Sequence, residues 1–161
     1  MKKNLIFLLF ILFLTMYVSQ NLYQLNLIQG ESMYPTYKNM QLTLIDKRST
    51  DFQCGDVVVF YCPSLDCTMV KRIIAAPGQT VLISDGNVLV DGVQSPYVCQ
   101  YTDFGGTASN ELLVGDSQFF VMGDNSARSR DSRYEEIGCV SRENIIGRVI
   151  PNRLPVDNTG N

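Results

Sequence analysis

The chain has 161 residues, 45% of them hydrophobic and 18% charged, enough for one domain with its own core. Thirteen basic and sixteen acidic residues leave a net charge of −3, which excludes the clustered basic excess of a nucleic-acid surface. Histidine is missing altogether, which excludes a Ser-His-Asp triad, a Cys-His dyad and any histidine-bearing zinc site; a base working near neutral pH has to be a carboxylate, a lysine or a terminal amine.

Lys2 and Lys3 precede an apolar run from Leu5 to Val18 that only Thr15 interrupts. A cleaved signal peptide has this shape, but the stretch after the run, Met16 to Asn21, lacks the small-residue cleavage pattern. A membrane span needs roughly 20 apolar residues, and Leu22, Tyr23 and Leu25 extend the run to an interfacial belt. The expectation is a retained anchor over 5–23 after a short cytoplasmic start, 1–4. No Lys or Arg follows until Lys38, so the positive-inside rule places the N-terminus in the cytoplasm and the remainder outside. The expected localisation is the cell membrane, crossed once.

Turn residues gather around Gly30 and Pro35 within a weakly alternating stretch, 26–45. Val57 to Tyr61 is a β-branched and aromatic run that reads as a buried strand. Met69 to Ile74 reads as another, closed by Pro77-Gly78. Val81-Leu82-Ile83 and Val88-Leu89-Val90 read as a hairpin about Asp85-Gly86, with Asp91-Gly92 marking a further turn. Residues 93–117 read as an irregular excursion, Phe119 to Met122 and Ile145 to Ile150 as strands, and 152–161 as a loose tail. The fold class is all-β: coiled antiparallel sheets in one domain over 24–151, preceded by the helical anchor. Five cysteines stand at 54, 62, 67, 99 and 139. Cys62 and Cys67 flank a turn, where a bridge would staple a hairpin tip outside the cytoplasm; five free thiols are the other reading.

In a strand, Met69, Lys71 and Ile73 share a face. That places the Lys71 amine between large apolar side chains, where burial lowers its pKa and lets a neutral amine accept a proton. A lysine guarding a sheet edge has the same local sequence. Ser32 lies in Gly30-Glu31-Ser32-Met33-Tyr34-Pro35-Thr36, a turn able to expose a hydroxyl and backbone amides, or simply a turn. Gly123 to Arg133 is dense in short polar groups after an apolar strand; Asp131 and Arg133 read as an ion pair and Ser129 as a hydrogen-bonding group that orients a base.

Four blocks then stand in order: Gly30 to Thr36, Gly55 to Phe60, Val70 to Gly78, and Phe120 to Asn125 running on to Ser129, Asp131, Ser132 and Arg133. Together with the anchor and the missing histidine, they resemble the successive motif boxes of bacterial type I signal peptidases, from the anchor to Ile150. The resemblance implies a membrane-bound serine endopeptidase that cuts signal peptides from exported pre-proteins after small residues. Ser32 matches the nucleophile, Lys71 the general base, Ser129 the serine that orients it, and Asp131 with Arg133 the salt-bridged support. The backbone at Ser32 and Gly30 matches the oxyanion site, although Gly30 replaces the serine some members carry. Ile28, Val59 and Val70 would wall the substrate pocket. Further implications are no metal or organic cofactor, pre-protein signal peptides and the lipid bilayer as partners, a monomer, a reduced second lobe and a buried Cys139 thiol. The rival readings are a pilin- or conjugation-type peptidase with the same chemistry and a non-catalytic homologue assisting surface-protein or pilus assembly.

Overall fold

The structure is a computed structural model that describes residues 2–98 and 101–151. Cys99 and the tail expected over 152–161 lie outside the described residues. The opening run contains no glycine or proline and forms helix α1 (Lys2–Leu22). Its apolar side chains from Leu5 to Tyr17 are exposed. Among the described residues no helix is long and apolar enough to cross a membrane.

Strand β1 (Tyr23–Leu27) follows directly and pairs antiparallel with β2 (Leu42–Asp46), from Tyr23 opposite Asp46 to Leu27 opposite Leu42. Two more bonds, Ile28 N–H to the Gln41 carbonyl and Met40 N–H to the Ile28 carbonyl, extend the pairing into the loop that carries Ser32. Strands β3 (Val57–Cys62) and β4 (Cys67–Ala75) form a hairpin across a four-residue tip, Pro63 to Asp66. β3 is continuously hydrophobic because both of its faces are covered. Val58 and Phe60 enter one core with Ile73 and Val121; Val57 and Val59 enter another with Ile28, Met33, Tyr37 and Ile45.

The second lobe comprises β5 (Thr80–Ser84), β6 (Asn87–Val90), β7 (Val93–Gln94) and β8 (Leu112–Leu113). Its two Asp-Gly turns hold both residues at positive φ, 51° and 78° at Asp85-Gly86 and 51° and 76° at Asp91-Gly92. This is the two-residue turn whose twist suits a hairpin. The excursion expected over 93–117 thus supplies two short strands. Strands β9 (Gln118–Met122), β10 (Val140–Ser141) and β11 (Ile145–Ile150) complete the main sheet.

The main sheet runs β1-β2-β11-β3-β4-β9-β10 and the smaller one β7-β6-β5-β8, with every pairing antiparallel. A third core, with Ile74, Val81, Val114 and Phe120, joins the two sheets. Cys139 is half-buried against it rather than buried outright.

Candidate active site

Ser32 sits in a double turn closed by Tyr34 N–H to the Glu31 carbonyl and Tyr37 N–H to the Met33 carbonyl. Gly30 enters this turn at φ +86°, a conformation open to glycine without strain. A loop after β9 holds the turn from the other side: Asn125 donates its backbone N–H to the Ser32 carbonyl at 2.9 Å and its side-chain amide to the Glu31 carbonyl at 3.2 Å. Gly123 lies where the two loops meet. A Cβ there would come within 2.3 Å of Ser129 Oγ and 2.5 Å of the Ser32 carbonyl oxygen.

Lys71 lies opposite Val58 in the β3–β4 ladder and is 4% exposed. Its Nζ is 2.9 Å from Ser32 Oγ, in hydrogen-bond contact. Burial is the largest influence on the amine and brings its pKa down from 10.5 to about 8, against the opposing pull of the Asp131 and Asp124 carboxylates. An amine with that pKa is substantially neutral near pH 8. A neutral amine in contact with a hydroxyl can take its proton.

Asp131 and Arg133 form a bidentate ion pair, 2.8 and 2.9 Å, with side chains 0% and 2% exposed. Asp131 also accepts the Gly123 N–H at 3.0 Å. Arg133 donates to Thr102 Oγ1 and to the carbonyls of Ser126 and Ser129. The pair therefore binds the loop beside Ser32 to the second lobe. Sequence reading did not single out a second pair, Arg72 with Asp124 at 2.6 and 2.7 Å, although Arg72 stands next to Lys71 and Asp124 lies in the last of the four blocks.

Three expectations change at the site. Ser129 is buried, but its Oγ has no hydrogen-bond partner among the described residues, so the expected bond to Lys71 is not formed; the amine is turned to Ser32 instead. Gly30 cannot be the second backbone oxyanion donor as placed, because its N–H is taken by Asn39 Oδ1 at 2.9 Å. Among the described residues no protein acceptor engages the Ser32 N–H, which leaves it available. Val59 lies beneath the site in the core, opposite Val70 in the ladder, and does not reach the surface. Ile28 and Val70 do line the groove beside Ser32, together with Met33, a residue sequence reading missed.

The groove measures about 530 Å³ and lies between residues 26–33 and the first half of β4, 67–71. Arg128 and Arg130 also line it, with Arg128 paired to Glu31. The model of the signal peptidase family, peptidase S26, matches residues 1–151. The chain belongs to that family. Its relatives include signal peptidase I of Leptolyngbya laminosa, 35% identical over 83% of this chain and 70% of that protein. Probable signal peptidase I-1 of Synechocystis is 34% identical over 83% and 72%, and signal peptidase I U of Bacillus subtilis 33% over 75% and 70%. A crystal structure of a signal peptidase I from Enterococcus faecalis superposes with a TM-score of 0.50 at 28% identity, covering 62% of this chain and 97% of that one. The antiparallel sheets described above are thus a signal peptidase fold, and the chain is a serine endopeptidase of the signal peptidase family.

Proposed function

We propose that this signal peptidase cuts signal peptides from exported pre-proteins with a Ser32–Lys71 dyad. The observation that carries the reading is the 2.9 Å contact between the Lys71 amine, lowered to about 8, and the Ser32 hydroxyl. Neutral Lys71 takes the Ser32 proton as Oγ attacks the scissile carbonyl, and the Ser32 N–H receives the developing oxyanion. The ammonium then protonates the leaving amine. A water activated by the same lysine releases the acyl group. Ser129 Oγ, buried and unpaired next to Gly123, is the acceptor for the ammonium between these steps.

Substrate geometry follows from the sheet. β1 is the terminal strand of its sheet, and among the described residues β4 pairs with β9 only at Arg72, Ile73 and Ala75, so the 67–71 edge has no strand partner there. Both edges line the groove, where an extended pre-protein segment finds backbone partners on either side. Ile28, Met33 and Val70 line the groove beside Ser32 and would set the size of the side chains it admits.

Membrane attachment belongs to the same proposal. The exposed apolar side chains of α1, from Leu5 to Tyr17, are the surface that would enter the lipid. Leu25 opposite Leu44 and Leu27 opposite Leu42, with Ile150 beside Leu44, form an exposed apolar face that continues from the helix. Lys2 and Lys3 orient the anchor with the domain outside the cytoplasm. The test is cleavage of a pre-protein with an Ala-x-Ala site by the full chain in detergent or vesicles. Ser32→Ala and Lys71→Arg are both expected to lose at least about a thousand-fold in rate, since a guanidinium stays protonated. An active Lys71→Arg variant would remove the lysine from the mechanism.

A further inference from the structure

Cys62 and Cys67 face each other directly at the end of the β3–β4 ladder. Directly opposed residues of an antiparallel pair project from the same face, with Cα atoms about 4.5 or 5.5 Å apart. That separation lies inside the range of about 4.4–6.8 Å that a disulfide spans. The tip between them is well ordered by its own bonds. Pro63 to Leu65 form a helical turn, Asp66 sits at φ 47° with its N–H on the Pro63 carbonyl, and the Tyr61 hydroxyl donates to Asp66 Oδ1 at 2.8 Å. Cys62 is buried, while Cys67 is exposed and lines the groove, and both are free thiols in this structure. The two other described cysteines have no cysteine opposite them. Cys54 donates to Gln79 Oε1, and Cys139 packs on the core that joins the two sheets.

We propose that Cys62 and Cys67 are a disulfide-forming pair that fastens the hairpin tip beside the substrate groove. Its closure in the cell rests on the extracytoplasmic placement argued above, where a disulfide-bearing oxidant is available. The exposed Cys67 sulfur attacks the oxidant disulfide, forming a mixed disulfide and releasing one thiol. Cys62 then attacks the Cys67 sulfur, forming the Cys62–Cys67 bond and releasing the second thiol. Two cysteine thiols are oxidised and one oxidant disulfide is reduced to two thiols. The bond ties the free edge of β4, at its groove end, to β3.

The full chain in detergent, treated with oxidised glutathione, alkylated and cleaved before aspartates, separates Cys54 (51–55), Cys62 (56–65) and Cys67 (66–84). The expected product is a linked pair of the 56–65 and 66–84 peptides, two hydrogens lighter than their sum and without alkyl label. Thermal unfolding should rise by about 5 °C, reversed by dithiothreitol, with no rise in Cys62→Ser or Cys67→Ser. Alkyl label on both cysteines after oxidation, or linkage of Cys62 to Cys54, overturns the pairing. Alkylation before lysis separates the two readings: free thiols in cells with closure in vitro would count against the extracytoplasmic placement and leave the pairing standing.

Discussion

In the proposed mechanism neutral Lys71 is the active form, and its pKa sits at about 8 because burial outweighs the attraction of Asp131 and Asp124. The kcat/KM for a peptide substrate should therefore rise with pH through a midpoint near 8 rather than near 10.5, as a pH–rate profile would show. Asp131 raises that value, so Asp131→Asn should move the midpoint to lower pH. The same substitution removes one partner of a buried ion pair and should lower stability by about 3–5 kcal/mol in denaturant unfolding. A fall in stability with no movement of the midpoint would make Asp131 a purely structural residue. The distinction matters because its second oxygen holds the Gly123 N–H, between Ser32 and Ser129.

Strand β4 carries Lys71, the proposed base, and the loops after β1 and β9 carry Ser32, the proposed nucleophile, and the residues that support it, so the site depends on elements far apart in sequence. The second lobe reaches it through the Arg133–Thr102 bond, the bonds of Thr107 to the Arg133 and Ser132 carbonyls, the bond of the Ser126 hydroxyl to the Tyr101 carbonyl, and the shared core. Its hairpin turn at Asp85-Gly86 has little freedom: Gly86 is at φ 78°, and a Cβ there would meet the Tyr101 ring at 1.7 Å. Gly86→Val should cost about 1–3 kcal/mol, measured by thermal unfolding, and should leave the pH midpoint of cleavage unchanged. A shifted midpoint would show that the lobe reaches the dyad electrostatically or through the backbone.

For the whole molecule, the apolar face on β1 and β2 is the feature that the isolated domain cannot explain. Leu25 is 66% exposed and Leu42 57%, beside the end of α1. Laid on a bilayer, this face would bring the groove between β1 and β4 to the lipid surface, where a signal peptide emerges. Leu25→Asp with Leu44→Asp should weaken binding to lipid vesicles several-fold in a flotation assay and slow cleavage of membrane-bound pre-protein. Cleavage of a short soluble peptide should be unaffected. Equal losses on both substrates would place the fault in the site and not in its docking.

Local pattern was enough to place strands within 57–61, 69–74 and 145–150, though not the start of β4 at Cys67, and for the Asp85-Gly86 hairpin and the face shared by Met69, Lys71 and Ile73, because β-branched runs, turn residues and a period of two act over a few residues. The ordered blocks identified the family. Tertiary structure alone decided which polar atoms meet. Nothing local shows that the Gly30 N–H is spent on Asn39, that Ser129 Oγ is left unpaired, or that Val59 is covered while Val70 reaches the groove. Each of these depends on hydrogen bonds and packing between segments whose spacing along the chain carries no trace of their distance in space.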